Sequence, residues 1–119
     1  MNALGLRVLL QIKRKTLFIR LDGELDQSST DEVRLKLTEV IEKYNLVNVV
    51  FNMQNLTFMD SSGIGIIIGR YNQIKNKDGQ VVLCNLNDDL LKIVRLSGLL
   101  RICTIKDNED SAKYYLGEF

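Results

Sequence analysis

Asp60-Ser61-Ser62-Gly63-Ile64-Gly65-Ile66-Ile67-Ile68-Gly69-Arg70-Tyr71-Asn72-Gln73-Ile74-Lys75 opens with three residues suited to capping a helix N-terminus. It continues with Ile64, Ile67, Ile68, Tyr71 and Ile74 on one helical face. Lys75 and Lys77 suit the negative end of that helix, and Asp78-Gly79 turns the chain. Upstream, residues 47–51 are a β-branched run of buried-strand type. A strand, a loop and a helix in this order are the repeating unit of a parallel sheet.

The same pattern continues downstream. Residues 80–86 read as a strand. Asn87 caps a further helix with Asp88 and Asp89 in its first turn, and Gly98 ends it with Leu99 packing back. A strand over 100–105 and a short helix over 107–116 follow. Toward the N-terminus, residues 6–13 and 16–22 alternate apolar with polar. The link Arg14-Lys15 makes them a hairpin. Glu24-Leu25-Asp26-Gln27 reads as a loop. Ser29 and Glu32 form a capping box, after which Val33, Leu37, Val40, Ile41 and Tyr44 share a helical face. The order β-β-α-β-α-β-α-β-α predicts one α/β domain over residues 1–119. It would be a small mixed, mostly parallel sheet with an opening hairpin, packed by about four helices. No repeat, low-complexity tract or linker interrupts it, and proline is absent.

Composition narrows the function. The chain has 119 residues, 45% apolar and 26% charged, enough for one core without metals or disulfides. A net charge of +1 gives no field favouring nucleic acid or an anionic membrane. The longest uncharged apolar run, residues 63–69, is far short of the ~20 residues that span a bilayer. No basic stretch followed by a long apolar one marks an N-terminal secretion signal. Cys84 and Cys103 lie in apolar stretches; they read as two buried thiols of a reducing cytosol, with a disulfide between them as the alternative. Without histidine or a C-x-x-C pair, most zinc sites are excluded. Ser-His-Asp and Cys-His catalysis lack their base. No metal and no cofactor is expected.

Asp60-Ser61-Ser62-Gly63 joins a loop to a helix start, where unpaired N–H groups favour an anion. Its serines suit capping alone, or phosphorylation, whose added charge acts strongly at such a place. A nucleophile elbow needs a glycine where Met59 or Asp60 stands. Gly63, Gly65 and Gly69 do not match a phosphate loop and suit close packing of the helix on its neighbours. Asp22, Glu24 and Asp26 form an acidic loop, either solvated or aimed at a partner's arginine. Arg70, Lys75 and Lys77 fall on the polar face of the second helix.

Residues 56–65, Leu-Thr-Phe-Met-Asp-Ser-Ser-Gly-Ile-Gly, resemble the signature of the STAS domain family. Residues 21–26, 69–75 and 96–99 match further family motifs in the expected order, so the resemblance covers nearly the whole chain. It implies an anti-sigma factor antagonist that is not itself an enzyme. The unmodified antagonist binds an anti-sigma factor that is also an ATP-dependent serine kinase, and displaces the sigma factor. The kinase phosphorylates the first serine of the motif, here Ser61; the product dissociates, and a serine phosphatase restores it. Asp26 corresponds to the acidic contact to the kinase, and Asp60, Ser61, Ser62 and Gly63 complete the partner-binding set. Residues 69–75 are similar to antagonists acting on the sporulation sigma factor F. A general stress-response antagonist is the alternative. Where relatives often carry histidines after the Glu-Leu-Asp motif, this chain has Gln27-Ser28-Ser29, so no histidine contact carries over. The expected protein is cytoplasmic and monomeric when free, with no nucleic-acid or membrane partner. A small nucleotide-binding or hydrolytic α/β enzyme is the rival from another class. The chain reads as complete at both ends, which ranks a STAS domain detached from an anion transporter last.

Overall fold

The computed structural model describes residues 1–118. Its order is β1 (Asn2–Ala3), β2 (Leu6–Lys13), β3 (Thr16–Leu25), α1 (Thr30–Lys43), β4 (Asn48–Met59), α2 (Ser61–Ile74), β5 (Val81–Cys84), α3 (Asp88–Ser97), β6 (Cys103–Lys106) and α4 (Glu109–Leu116). The six strands lie side by side in chain order. β1, β2 and β3 are antiparallel, and β3 to β6 are parallel. The hairpin forms as expected. Lys13 pairs with Thr16, and Arg14 takes a φ of 55°, the left-handed backbone that a two-residue turn needs.

One face of the sheet carries the main core. Leu17, Ile19, Leu21, Phe51 and Met53 meet Val33, Leu37 and Ile41 of α1, Ile67 and Ile74 of α2, and Leu90 and Val94 of α3. On the other face, Phe18, Val50, Val82 and Cys84 are covered by Ala112 and Leu116 of α4. Alternation along each strand divides the side chains between the two faces.

The structure corrects several expectations. β3 runs to Leu25 and β4 to Met59, so Asp22 and Glu24 belong to a strand, and only Asp26 lies in the loop. The extension was hidden by the polar residues Asn52, Gln54 and Asn55, which surround the single apolar Met53. Register shifts between Arg20 and Asp22 and between Gly23 and Glu24 also break the period-two pattern. At this bulge Gly23 has a φ of 118°, and a Cβ there would sit 2.2 Å from the Gly5 carbonyl oxygen. β5 and β6 are four-residue strands, shorter than their apolar runs. A single 3-10 turn, Leu99–Arg101, takes up the first part of the last run.

The Ser29–Glu32 capping box does not form. Ser29 makes no side-chain cap bond; its hydroxyl accepts from Asp26 N at 3.2 Å and donates to Asp26 O at 3.1 Å, closing the preceding turn. Asn87 caps α3 as read, accepting from Leu90 N at 2.8 Å, and Gly98 ends it with a φ of 81°. α4 starts at Glu109, two residues later than expected, and is capped by Asn108, whose Oδ1 accepts from Ser111 N at 2.9 Å. Arg70 is not on a polar face. It is 4% exposed, packed between α2 and α1, with Nη2 donating to Thr38 Oγ1 at 3.3 Å. Burial lowers its pKa, and the like charge of Arg34 adds to this. Both cysteines are buried and free, and burial pushes each thiol up to about 12. No helix among the described residues is long and apolar enough to cross a membrane.

Candidate functional site

The parallel pairing of β3 with β4 sets Leu25 opposite Met59, so the residues that follow, Asp26 and Asp60, emerge side by side at the carboxyl ends of two adjacent strands. That edge of a parallel sheet is where such folds place their sites. Asp60 has extended backbone, and its Oδ1 accepts from Ser62 N at 2.9 Å and Gly63 N at 3.3 Å. Asp60 is therefore the N-cap of α2, and Ser61 is its first helical residue. This removes capping as the role of Ser61. The serine is exposed, and its hydroxyl forms no hydrogen bond among the described residues.

Gly63 fixes the start of α2 against the sheet. A Cβ at this position would lie 2.5 Å from Met59 Cγ, 2.9 Å from Leu25 O and 3.0 Å from Leu25 Cγ. The helix therefore touches, through a bare Cα, both strand ends that present Asp26 and Asp60. Gly65 and Gly69 play no such part; a Cβ on either meets nothing within 4 Å, contrary to the packing role expected of all three.

Asp26 is held in its own tight turn. Its Oδ1 accepts from Ser28 N at 2.9 Å and from Ser28 Oγ at 2.6 Å, while its carbonyl accepts from Ser29 N and Thr30 N. Gln27-Ser28-Ser29 thus orients the carboxylate through Ser28. Asp26, Gln27, Ser28, Phe58 and Asp60 line one shallow depression. It holds two carboxylates and no basic side chain, which suits a cationic partner group.

Phe58 was not singled out from the sequence. It is 47% exposed on the last turn of β4, beside the acidic pair. Leu56, two residues earlier, is buried, and plain alternation would bury Phe58 with it; the bulge that leaves Thr57 extra between Leu56 and Phe58 turns Phe58 outward. An exposed aromatic between carboxylates is a good interface anchor.

The chemistry available here is limited. No base lies in hydrogen-bond reach of the Ser61 hydroxyl, and among the described residues no cluster of three or more His, Cys, Asp or Glu is placed to hold a metal. An exposed hydroxyl at a helix N-terminus can receive a phosphoryl group from outside. The helix end favours the added anion by about 0.3–1 kcal/mol, and Asp60 opposes it.

A family model described as the STAS domain matches residues 3–112. An anti-sigma F factor antagonist of Paenibacillus polymyxa is 38% identical over 109 residues, covering 92% of this chain and 93% of that protein. The solved structure of the anti-sigma factor antagonist SpoIIAA in its unphosphorylated form has a TM-score of 0.82 at 29% identity, covering 93% of this chain and 97% of that one. The phosphorylated form of the Bacillus cell fate determinant SpoIIAA has a TM-score of 0.73 at 29% identity, covering 92% and 99%.

Proposed function

The chain belongs to the STAS domain family, and from that we propose that it is an anti-sigma factor antagonist switched by phosphorylation of Ser61. The observation that carries this is the placement of Ser61: an exposed, unbonded hydroxyl at the first position of α2, beside the cap Asp60. A relative solved in both unphosphorylated and phosphorylated forms supports it. In this account the unmodified chain docks on an anti-sigma factor that is also a serine kinase. Asp26, Asp60, Ser61, Ser62 and Gly63 face that partner, and Phe58 supplies apolar area between the acids. Sigma F is the indirect target, in line with the 38% identical relative. The chain performs no chemistry of its own and works in the cytoplasm as a monomer when free, and a serine phosphatase restores it.

The switch follows from local charge. A phosphoserine carries about −1.5 to −2 at neutral pH. In the free chain, helix-end attraction and repulsion by Asp60 are of similar size, each screened over about 8 Å, so the fold is nearly indifferent. At an interface fitted to a bare hydroxyl, the same group must be desolvated beside Asp26 and Asp60, and binding fails. To test the site, the chain is incubated with its cognate kinase and ATP and mapped by mass spectrometry. Phosphate on Ser61 alone is expected; phosphate on Ser62, or none, refutes the assignment.

A further inference from the structure

The face of the sheet under α4 holds a second recess that the switch does not use. Beyond the first turn of α4, Arg20 of β3 and Asn52 and Gln54 of β4 stay uncovered, on the same face as Phe18 and Val50. Asn55 within β4 and Asn85 just past the end of β5 close a cavity of about 430 Å3. That falls within the roughly 300–1,000 Å3 of small-molecule sites.

Its polar groups divide into a used and an unused set. Glu109 accepts from Arg20 Nε at 2.8 Å, Arg20 Nη2 at 2.9 Å and Asn52 Nδ2 at 2.7 Å. The hydrogen bond from Arg20 holds the Glu109 carboxyl below its usual range. This ion pair occupies both oxygens of Glu109 and forms the floor of the recess. Above it, the side chains of Gln54, Asn55 and Asn85 form no hydrogen bonds among the described residues, and neither does Arg20 Nη1. Asn85 stands out. Its backbone has a φ of 59°, a conformation asparagine adopts readily, and its Oδ1 is buried without a partner. A buried oxygen without a donor calls for one, and a bound ligand supplies it.

The unused set selects a ligand class. Arg20 is already neutralised by Glu109, and Asp110 adds a negative charge at the rim, so an anion is disfavoured. Leu21 is the single apolar lining residue, so an apolar ligand gains little. No metal-holding cluster exists among the described residues. What remains are carboxamides, each offering a donor and an acceptor, which match hydroxyl groups that both donate and accept. We propose that this recess binds a small neutral polyhydroxylated molecule, a monosaccharide or cyclic polyol, through Asn85, Asn55, Gln54 and Arg20 Nη1. Such a ligand gives Asn85 Oδ1 the donor it lacks. The proposal is independent of the Ser61 switch, since the recess lies on the α4 side of the sheet and α2 packs on the other.

The test is an NMR titration of the full, isotopically labelled chain with D-glucose and with myo-inositol, following the side-chain NH2 resonances of Asn and Gln. Saturable shifts at Asn85, Asn55 and Gln54 are expected with at least one of the two. Asn85→Gly, which keeps the left-handed backbone, and Asn55→Ala, an exposed position, should each weaken binding about tenfold, the worth of roughly one good hydrogen bond. Linear, unsaturable shifts with both probes overturn the site. So do unchanged affinities in both variants when their backbone spectra show native folds. If inorganic phosphate moves the same resonances while the two polyols do not, the ligand class is wrong.

Discussion

Gly63→Ala is expected to destabilise the domain while Gly65→Ala, two residues on in the same helix, stabilises it. The added methyl at Gly63 would stand 2.5 Å from Met59 Cγ, 2.9 Å from Leu25 O and 3.0 Å from Leu25 Cγ. Favourable carbon contacts are about 3.5–4.0 Å apart, so Met59 must yield by about 1 Å. The Leu25 carbonyl belongs to the sheet and cannot swing aside, so α2 itself must lift. Overpacking of this kind costs about 1–3 kcal/mol. Replacing glycine in a helix returns at most about 1 kcal/mol, and less in a first turn. The net loss is about 1–2 kcal/mol, a fall in Tm of about 4–8 °C at roughly 4 °C per kcal/mol. Gly65 has nothing within 4 Å of its ideal Cβ, so only the propensity gain remains, a rise of about 2–4 °C. Urea unfolding followed by circular dichroism, with calorimetry for Tm, measures both. The reasoning is refuted if Gly63→Ala matches the parent midpoint, or if Gly65→Ala loses as much as Gly63→Ala. Because the strained contacts are with the two strand ends that present Asp26 and Asp60, partner affinity should fall in Gly63→Ala and stay unchanged in Gly65→Ala.

Asp60→Ala removes the cap that serves Ser62 N and Gly63 N and should cost about 0.5–2 kcal/mol, whereas Ser61→Ala, an exposed non-capping position, should stay within about 0.5 kcal/mol and resist phosphorylation; paired denaturant curves separate them. Asp26→Asn keeps the turn, because its amide oxygen still accepts from Ser28, yet loses the charge offered to a partner; titration into the kinase should show weaker binding at an unchanged Tm. Glu109 has a carboxyl held low, chiefly by the Arg20 hydrogen bond, so its stabilisation is present above the ordinary value of 4.5 and disappears as pH falls through the depressed folded value. The stability advantage of the parent over Glu109→Gln should therefore be full at pH 6–7 and shrink below about pH 4.5; an advantage that grows on acidification contradicts the pairing.

The order of the helices and of the five longer strands along the chain was legible because apolar periodicity and turn or cap residues coincide at most of them; the two-residue strand Asn2–Ala3 is too short to leave a pattern. The strand pattern over 6–13, the Asn87 cap and Gly98 each mark one boundary without competition. Legibility failed where tertiary contacts override local pattern. The β3–β4 extension is held by bulged pairing and by the Glu24 N bond to Gly5 O, neither of which leaves a period-two trace. The burial of Arg70 depends on α1 crossing α2 at Thr38, a contact 32 residues away in sequence. For the site, the motif located Asp26 and Asp60, but their adjacency needs the Leu25–Met59 register. Which of the three residues 60–62 caps α2 was decided by backbone geometry alone, since aspartate and serine serve equally well. Phe58 stayed hidden because an apolar residue inside an apolar stretch gives no sign of its direction.

The claim that phosphorylation of Ser61 switches partner binding is tested most directly by calorimetric titration of the purified unphosphorylated chain and the purified Ser61-phosphorylated chain into the same anti-sigma factor kinase. The account predicts a drop in affinity of about thirtyfold or more, the effect of a desolvated charge mismatch of at least about 2 kcal/mol. Affinities equal within about threefold for the two forms would contradict it.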